Sequence, residues 1–135
     1  MQNEESLQFL TVEDVKRLHD LSIGWDGGSF GIRDAGLLES AVSMPSQTFG
    51  GAYLHATLGA KAAAYLFHLC QNHAFIDGNK RVALIACETF LRWNGTELTL
   101  TDEAAEEMVM RVAEGILSKE DLIVLVEKSI QLKRE

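Results

Sequence analysis

Apolar residues recur along this chain at spacings of three and four and hardly anywhere alternate, which predicts helices rather than strands. Two stretches carry the pattern most clearly. Over 56–72, Leu58, Ala62, Tyr65, Leu66 and Leu69 fall at helical spacing. Over 78–93, Val82, Ala86, Thr89, Phe90 and Trp93 form one face, and Ala83, Cys87 and Leu91 widen it. A helix apolar over that much of its surface is central and largely buried, and Asn94-Gly95 is a stop signal for it.

Four further helices are written more lightly. The stretch 10–21 opens with Thr11 and has Asp14 three residues on, the pattern of a capping box, with Val12, Val15 and Leu18 as a modest apolar face. Asp34 reads as the N-cap of a helix through Val42, with Leu37, Leu38, Ala41 and Val42 facing inward and Pro45 beyond its end. Asp102 starts another, faced by Ala105, Met108, Val109, Val112 and Ile116. Ser118, followed by Asp121, caps the last, which buries Leu122, Leu125, Val126 and Ile130. Between these lie a loop over 24–31 with four glycines, an irregular flap over 48–55 and a short extended piece over 97–100. About six helices and almost no strand predict an all-α fold, and 135 residues predict a single domain over 1–135.

Composition narrows the function. With 47% apolar residues the chain is not disordered and can bury a core. The start, Met1-Gln2-Asn3-Glu4-Glu5, is acidic where a secretory signal is basic, and runs such as Ala62 to Phe67 are too short for a bilayer, so a soluble, cytoplasmic protein is expected. Cys70 and Cys87 sit in apolar helical stretches and are expected as core thiols, not as a disulfide framework. A net charge of −8, from 20 acidic and 12 basic residues, argues against direct nucleic-acid binding, which rests on clustered cations. Two cations adjoin in the loop between the two strongest helices, Lys80 and Arg81.

That junction, His73-Ala74-Phe75-Ile76-Asp77-Gly78-Asn79-Lys80-Arg81, gathers the parts of a phosphate-transferring site. The backbone N–H groups of a helix beginning near Gly78 have no intrahelical partners and carry the positive end of its dipole. Gly78 lets a phosphate approach the backbone, and Asn79 adds an amide. Lys80 and Arg81 oppose the dipole of the helix they start, a conflict that a bound anion removes. Asp77 offers a hard oxygen for magnesium. His73 brings an imidazole, whose ordinary pKa of about 6.5 suits a general base. Phe75 and Ile76 are expected to face the core and pin the loop. A C-cap role for His73 and an N-cap role for Asp77 are the plain structural alternatives, but capping does not call for Lys80 and Arg81 beside Asn79. A zinc-binding interaction module built on His68, Cys70 and His73 is a weaker reading, because the spacing fits no closed site.

The nine residues resemble the signature of the Fic/Doc superfamily, His-x-Phe-x-[Asp/Glu]-Gly-Asn-[Gly/Lys]-Arg, and look most like its Doc (death-on-curing) branch. The Gly-rich segment to Gly31, the stretch 34–42 and the helix end Phe90-Leu91-Arg92-Trp93-Asn94-Gly95 extend the resemblance. It implies that His73 is the catalytic histidine, Asp77 the magnesium-binding acid, and Gly78, Asn79, Lys80 and Arg81 the binders of ATP phosphates. It further implies a toxin of a type II toxin–antitoxin pair that moves the γ-phosphate of ATP to a hydroxyl of elongation factor Tu. AMP transfer is the runner-up. The AMP-transferring branch has glycine where this chain has Lys80, and a second arginine where this chain has Leu84. The family's inhibitory pattern, [Ser/Thr]-x-x-x-Glu-[Gly/Asn], is broken at Glu114-Gly115, because Met110 stands where the hydroxyl residue belongs. A separate antitoxin with a disordered inhibitory tail is therefore the expected partner.

Overall fold

The computed structural model describes residues 7–133. Among them are six α-helices: α1 Val12–Asp26, α2 Ala35–Ser43, α3 Leu58–Asn72, α4 Asn79–Trp93, α5 Asp102–Ala113 and α6 Lys119–Lys128. Four short strands complete the fold, and the chain is all-α in class. β1 Thr48–Phe49 pairs antiparallel with β2 Ala52–Tyr53, and β3 Thr96–Leu98 with β4 Ile130–Leu132.

Helix starts follow local chemistry. Thr11, Asp34, Thr57, Thr101 and Ser118 each accept a hydrogen bond from the amide three residues on, and Thr11 with Asp14 forms the full capping box. α4 departs from this: its N-cap is Gly78, and no side chain caps it.

α3 and α4 form the centre. Alanines at 60, 62, 63 and 64 keep α3 thin, so neighbours pack against it on nearly every side. Leu66 and Leu69 of α3 meet Phe90 and Leu91 of α4 in one core with Val15, Leu38, Val112, Leu122 and Val126. Even Lys61 is buried: its ammonium donates to the carbonyls of His55 at 2.7 Å and Ala56 at 3.2 Å and lies 4.2 Å from the Tyr53 ring centre. α6 presses close on the start of α3, where a Cβ on Gly59 would stand 3.1 Å from the Glu127 Cα.

Several expectations are corrected by non-local packing. α1 runs to Asp26, beyond 21, because Ser22 and Ile23 extend its buried stripe. The segment 48–55 is a hairpin, not irregular chain. Ile130 leaves the last helix to pair with Leu98 in β4; Ser129 ends α6 by donating from Oγ to the Leu125 carbonyl at 2.7 Å. Ile116 lies beyond α5, where the amides of Ile116 and Leu117 turn back onto the Arg111 carbonyl. Leu37 and Trp93, expected inside, are exposed.

The N-terminal segment is tied to the core by one hydroxyl. Tyr65 Oη accepts from the Leu10 amide at 2.8 Å and donates to the Leu10 carbonyl at 3.3 Å, with both residues buried. Tyr65→Phe leaves that amide unpaired, so a loss of about 1–3 kcal/mol is expected in chemical denaturation.

A second prediction concerns acid. His68, half-buried on α3, has an Nε2 without a hydrogen-bond partner. Burial pushes its pKa down to about 4, helped by the charges of Lys119 and His55. His55 shifts the same way, again chiefly through burial. Below the ordinary histidine value of about 6.5 the unfolded chain takes up protons that the folded chain refuses, down to about pH 4, so stability falls as pH falls through that window. Urea denaturation between about pH 7 and about pH 5 should show this slope, and His68→Leu should flatten it.

Candidate active site

α3 ends at Asn72, and the chain reverses over 73–78 into α4. His73 sits at the turn, exposed, with φ 49° and ψ 47°, the one non-glycine residue with positive φ among the described residues. The segment 31–34 lies against the loop as a strand would. Ile76 N donates to the Gly31 carbonyl at 3.0 Å, while Arg33 N and Asp34 N donate to the Ala74 carbonyl at 2.7 and 3.0 Å. The Arg33 side chain adds Nε to the His73 carbonyl at 2.6 Å and Nη2 to the Asn72 carbonyl at 3.1 Å.

Phe75 points inward, as its place in the motif predicts. Ile76 does not: it is exposed, because consecutive residues of an extended loop face opposite ways. Asn79 closes the loop from within. Its Oδ1 accepts from the Phe75 amide and its Nδ2 donates to the Phe75 carbonyl, both at 3.0 Å. These bonds use the Asn79 oxygen and one of the two N–H bonds of its amide.

Beneath the loop lies His19 of α1, a residue its sequence setting does not flag. Its ring stacks on Phe75 with centroids 3.8 Å apart and planes 9° from parallel. Its Nε2 lies 2.7 Å from the Asp77 carbonyl. Because a carbonyl only accepts, Nε2 carries the proton. Gly78, at φ 75°, fits over the same place: a Cβ there would stand 3.1 Å from Ile23 Cδ1 and 3.5 Å from His19 Nε2.

Asp77 is exposed, and each carboxylate oxygen takes a backbone N–H, Oδ2 from Ser29 at 3.1 Å and Oδ1 from Gly78 at 2.8 Å. These two donors, Ser29 first, hold its carboxyl below the usual range. Gly28 is needed for the approach, since a Cβ there would meet Asp77 Oδ2 at 2.8 Å. Within the glycine-rich segment, Gly28 makes the room and the Ser29 N–H supports the Asp77 carboxylate.

Arg81 is half-buried against the end of α1. Its Nη1 donates to the Gly27 carbonyl at 3.0 Å, and its Nε lies 3.8 Å from Asp26 Oδ2. Lys80 is exposed beside it. Both line the rim of a cleft of about 410 Å³, whose apolar wall is Leu84, Ile85, Val109 and Met110. His68, half-buried, Cys70, buried, and His73, exposed, are not brought together, and no group of three or more potential metal ligands forms among the described residues.

The loop thus joins a histidine, a charged carboxylate and an open helix N-terminus in a helical fold, the makings of a phosphate-handling domain. The chain matches the Fic/DOC family over residues 9–91, and it belongs to that family. It is 40% identical over 108 residues to Toxin Doc of Mycolicibacterium smegmatis, a match that covers 78% of this chain and 81% of that protein. It is 32% identical over 113 residues to Protein kinase doc of Escherichia phage P1, covering 83% and 87%.

The paired bonds of Asn79 predict what its loss does. Asn79→Ala should speed hydrogen exchange at the Phe75 amide and lower stability by about 1–3 kcal/mol, because both loop groups lose their partner. Hydrogen-exchange NMR with urea denaturation checks both.

Proposed function

We propose that the protein is the toxin of a type II toxin–antitoxin pair and transfers the γ-phosphate of ATP to a hydroxyl of a protein target, elongation factor Tu, in the cytoplasm. The observation that carries this reading is the uncapped start of α4 beside the charged Asp77. Five helices set a side-chain acceptor on one amide of their first turn, and α4 has none, which leaves its start open to an anion. Membership of the Fic/DOC family and likeness to proteins named Toxin Doc and Protein kinase doc support it. No helix among the described residues is long and apolar enough to cross a membrane.

In this reading the N–H groups of Asn79, Lys80 and Arg81 hold phosphate oxygens, and the Lys80 ammonium adds charge. Asp77 suits magnesium, which keeps waters and takes one or two carboxylates with substrate phosphates, and its carboxyl is ionised at neutral pH. The metal supplies neutralisation of phosphate charge. His73 accepts the proton as the target hydroxyl attacks the γ-phosphorus, the bond to the β-phosphate oxygen breaks and ADP leaves. The broken inhibitory pattern at Glu114-Gly115 leaves control to a separate antitoxin whose disordered tail folds on the toxin.

Incubation of the target with ATP, magnesium and the protein, read by mass spectrometry, tests this. A gain of phosphate is expected; a gain of AMP would overturn the kinase reading in favour of AMP transfer. His73→Ala should lower the rate by about 10²–10⁴-fold without a change in melting, since a positioned base is worth that much. Lys80→Gly should slow phosphate transfer or redirect it to AMP transfer, because only the phosphate held in line reacts.

A further inference from the structure

We propose that Arg33 is a positioning residue for His73: its guanidinium, bound to the His73 and Asn72 carbonyls, holds the histidine backbone in the left-handed conformation. The inference rests on the phosphotransfer role proposed for His73.

The left-handed region is strained for any L-residue with a Cβ and persists only where the surroundings over-determine it. His73 occupies it at φ 49°, alone among the described non-glycine residues. A turn that needed only a reversal would take glycine there at no steric cost. What fixes the conformation is visible in the contacts. The His73 carbonyl accepts from Arg33 Nε at 2.6 Å, and the preceding carbonyl, of Asn72, accepts from Nη2 at 3.1 Å. Two successive peptides are thus gripped by one planar fork. Carbonyls at a helix C-terminus lack intrahelical donors and carry partial negative charge, so a cation binds there favourably. The arginine is itself anchored, since its own amide donates to the Ala74 carbonyl at 2.7 Å. Residues 72, 73 and 74 are therefore all held from one position.

Burial is not the task of this side chain, because Arg33 is exposed. The other site groups have separate supports: Asp77 is held by Ser29 and Gly78, Asn79 by Phe75, and Arg81 by Gly27. Loss of the fork should therefore displace the histidine and spare the nucleotide-binding groups. That separation predicts a kinetic signature, a lower kcat at nearly constant KM for ATP.

The test uses Arg33→Met and Arg33→Lys in the full chain, with melting curves confirming that each folds. Backbone NMR shifts of His73 report its conformation without any assay of activity. Steady-state phosphorylation of the target gives kcat and KM. Arg33→Met should move the His73 shifts out of the left-handed pattern and lower kcat by about 10- to 100-fold, because a misplacement of about 1 Å can cost that much. KM for ATP should stay within about twofold, and Arg33→Lys, which keeps charge and one donor, should recover part of the rate. Unchanged His73 shifts, or a kcat per folded molecule equal to the parent's, would overturn the proposal. Should the parent itself transfer no phosphate, the proposed function fails, and the NMR shifts still decide whether Arg33 holds His73.

Discussion

One side-chain amide closes the turn on which the site depends. Asn79 binds both backbone groups of Phe75, and so ties the first turn of α4 to the chain leaving α3. Phe75 in turn is clamped between the His19 ring and the core, so the bracket transmits the rigidity of α1, α3 and α4 to the loop. Without the bracket the Phe75 amide and carbonyl would be polar groups facing a packed interior, which folded chains avoid. The same two bonds therefore satisfy the loop and set where His73 and Asp77 stand relative to the start of α4.

Electrostatics divides the loop into engaged and available groups. Arg81 is partly neutralised by Asp26 and by the carbonyls at the end of α1, and Asp77 takes one N–H on each oxygen, which leaves a lone pair on each. Lys80 is exposed on the rim of the cleft. In a chain of net charge −8, a lysine on an uncapped helix start is a small positive spot on an acidic surface.

What could be read from the sequence was what is local. Caps at Thr11, Asp34 and Ser118 act within three residues, so the letters alone contain them. The buried faces of α3 and α4 repeat every helical turn and were equally legible. Pairing at a distance was not. The Leu98–Ile130 pairing removes Ile130 from a helix its spacing fits, and no feature near Ile130 announces a partner 32 residues earlier. In the site, the motif located His73, Phe75 and Asp77, but their supports, Arg33, His19 and Ser29, come from a different part of the chain. His19 breaks the apolar face of α1 between Val15 and Ser22, and that irregularity was its only trace. Gly28 was the trace of the Ser29 contact, since close approach to the Asp77 carboxylate leaves no room for a Cβ there.

The distribution of supports also explains why the site belongs to the whole N-terminal half rather than to nine residues. Asp77 lies 48 residues from Ser29 and 58 from His19, and His73 lies 40 from Arg33. Each of these contacts needs α1 and the segment 28–34 to be docked on α3 and α4 first. A loop with the same nine residues but no such docking would keep the chemistry of its side chains and lose their geometry. The charged carboxylate would no longer be pre-set by two N–H groups, and the histidine would relax from its left-handed turn. Since catalysis by positioning depends on geometry fixed before substrate arrives, the support residues are as necessary to the site as the residues of the motif.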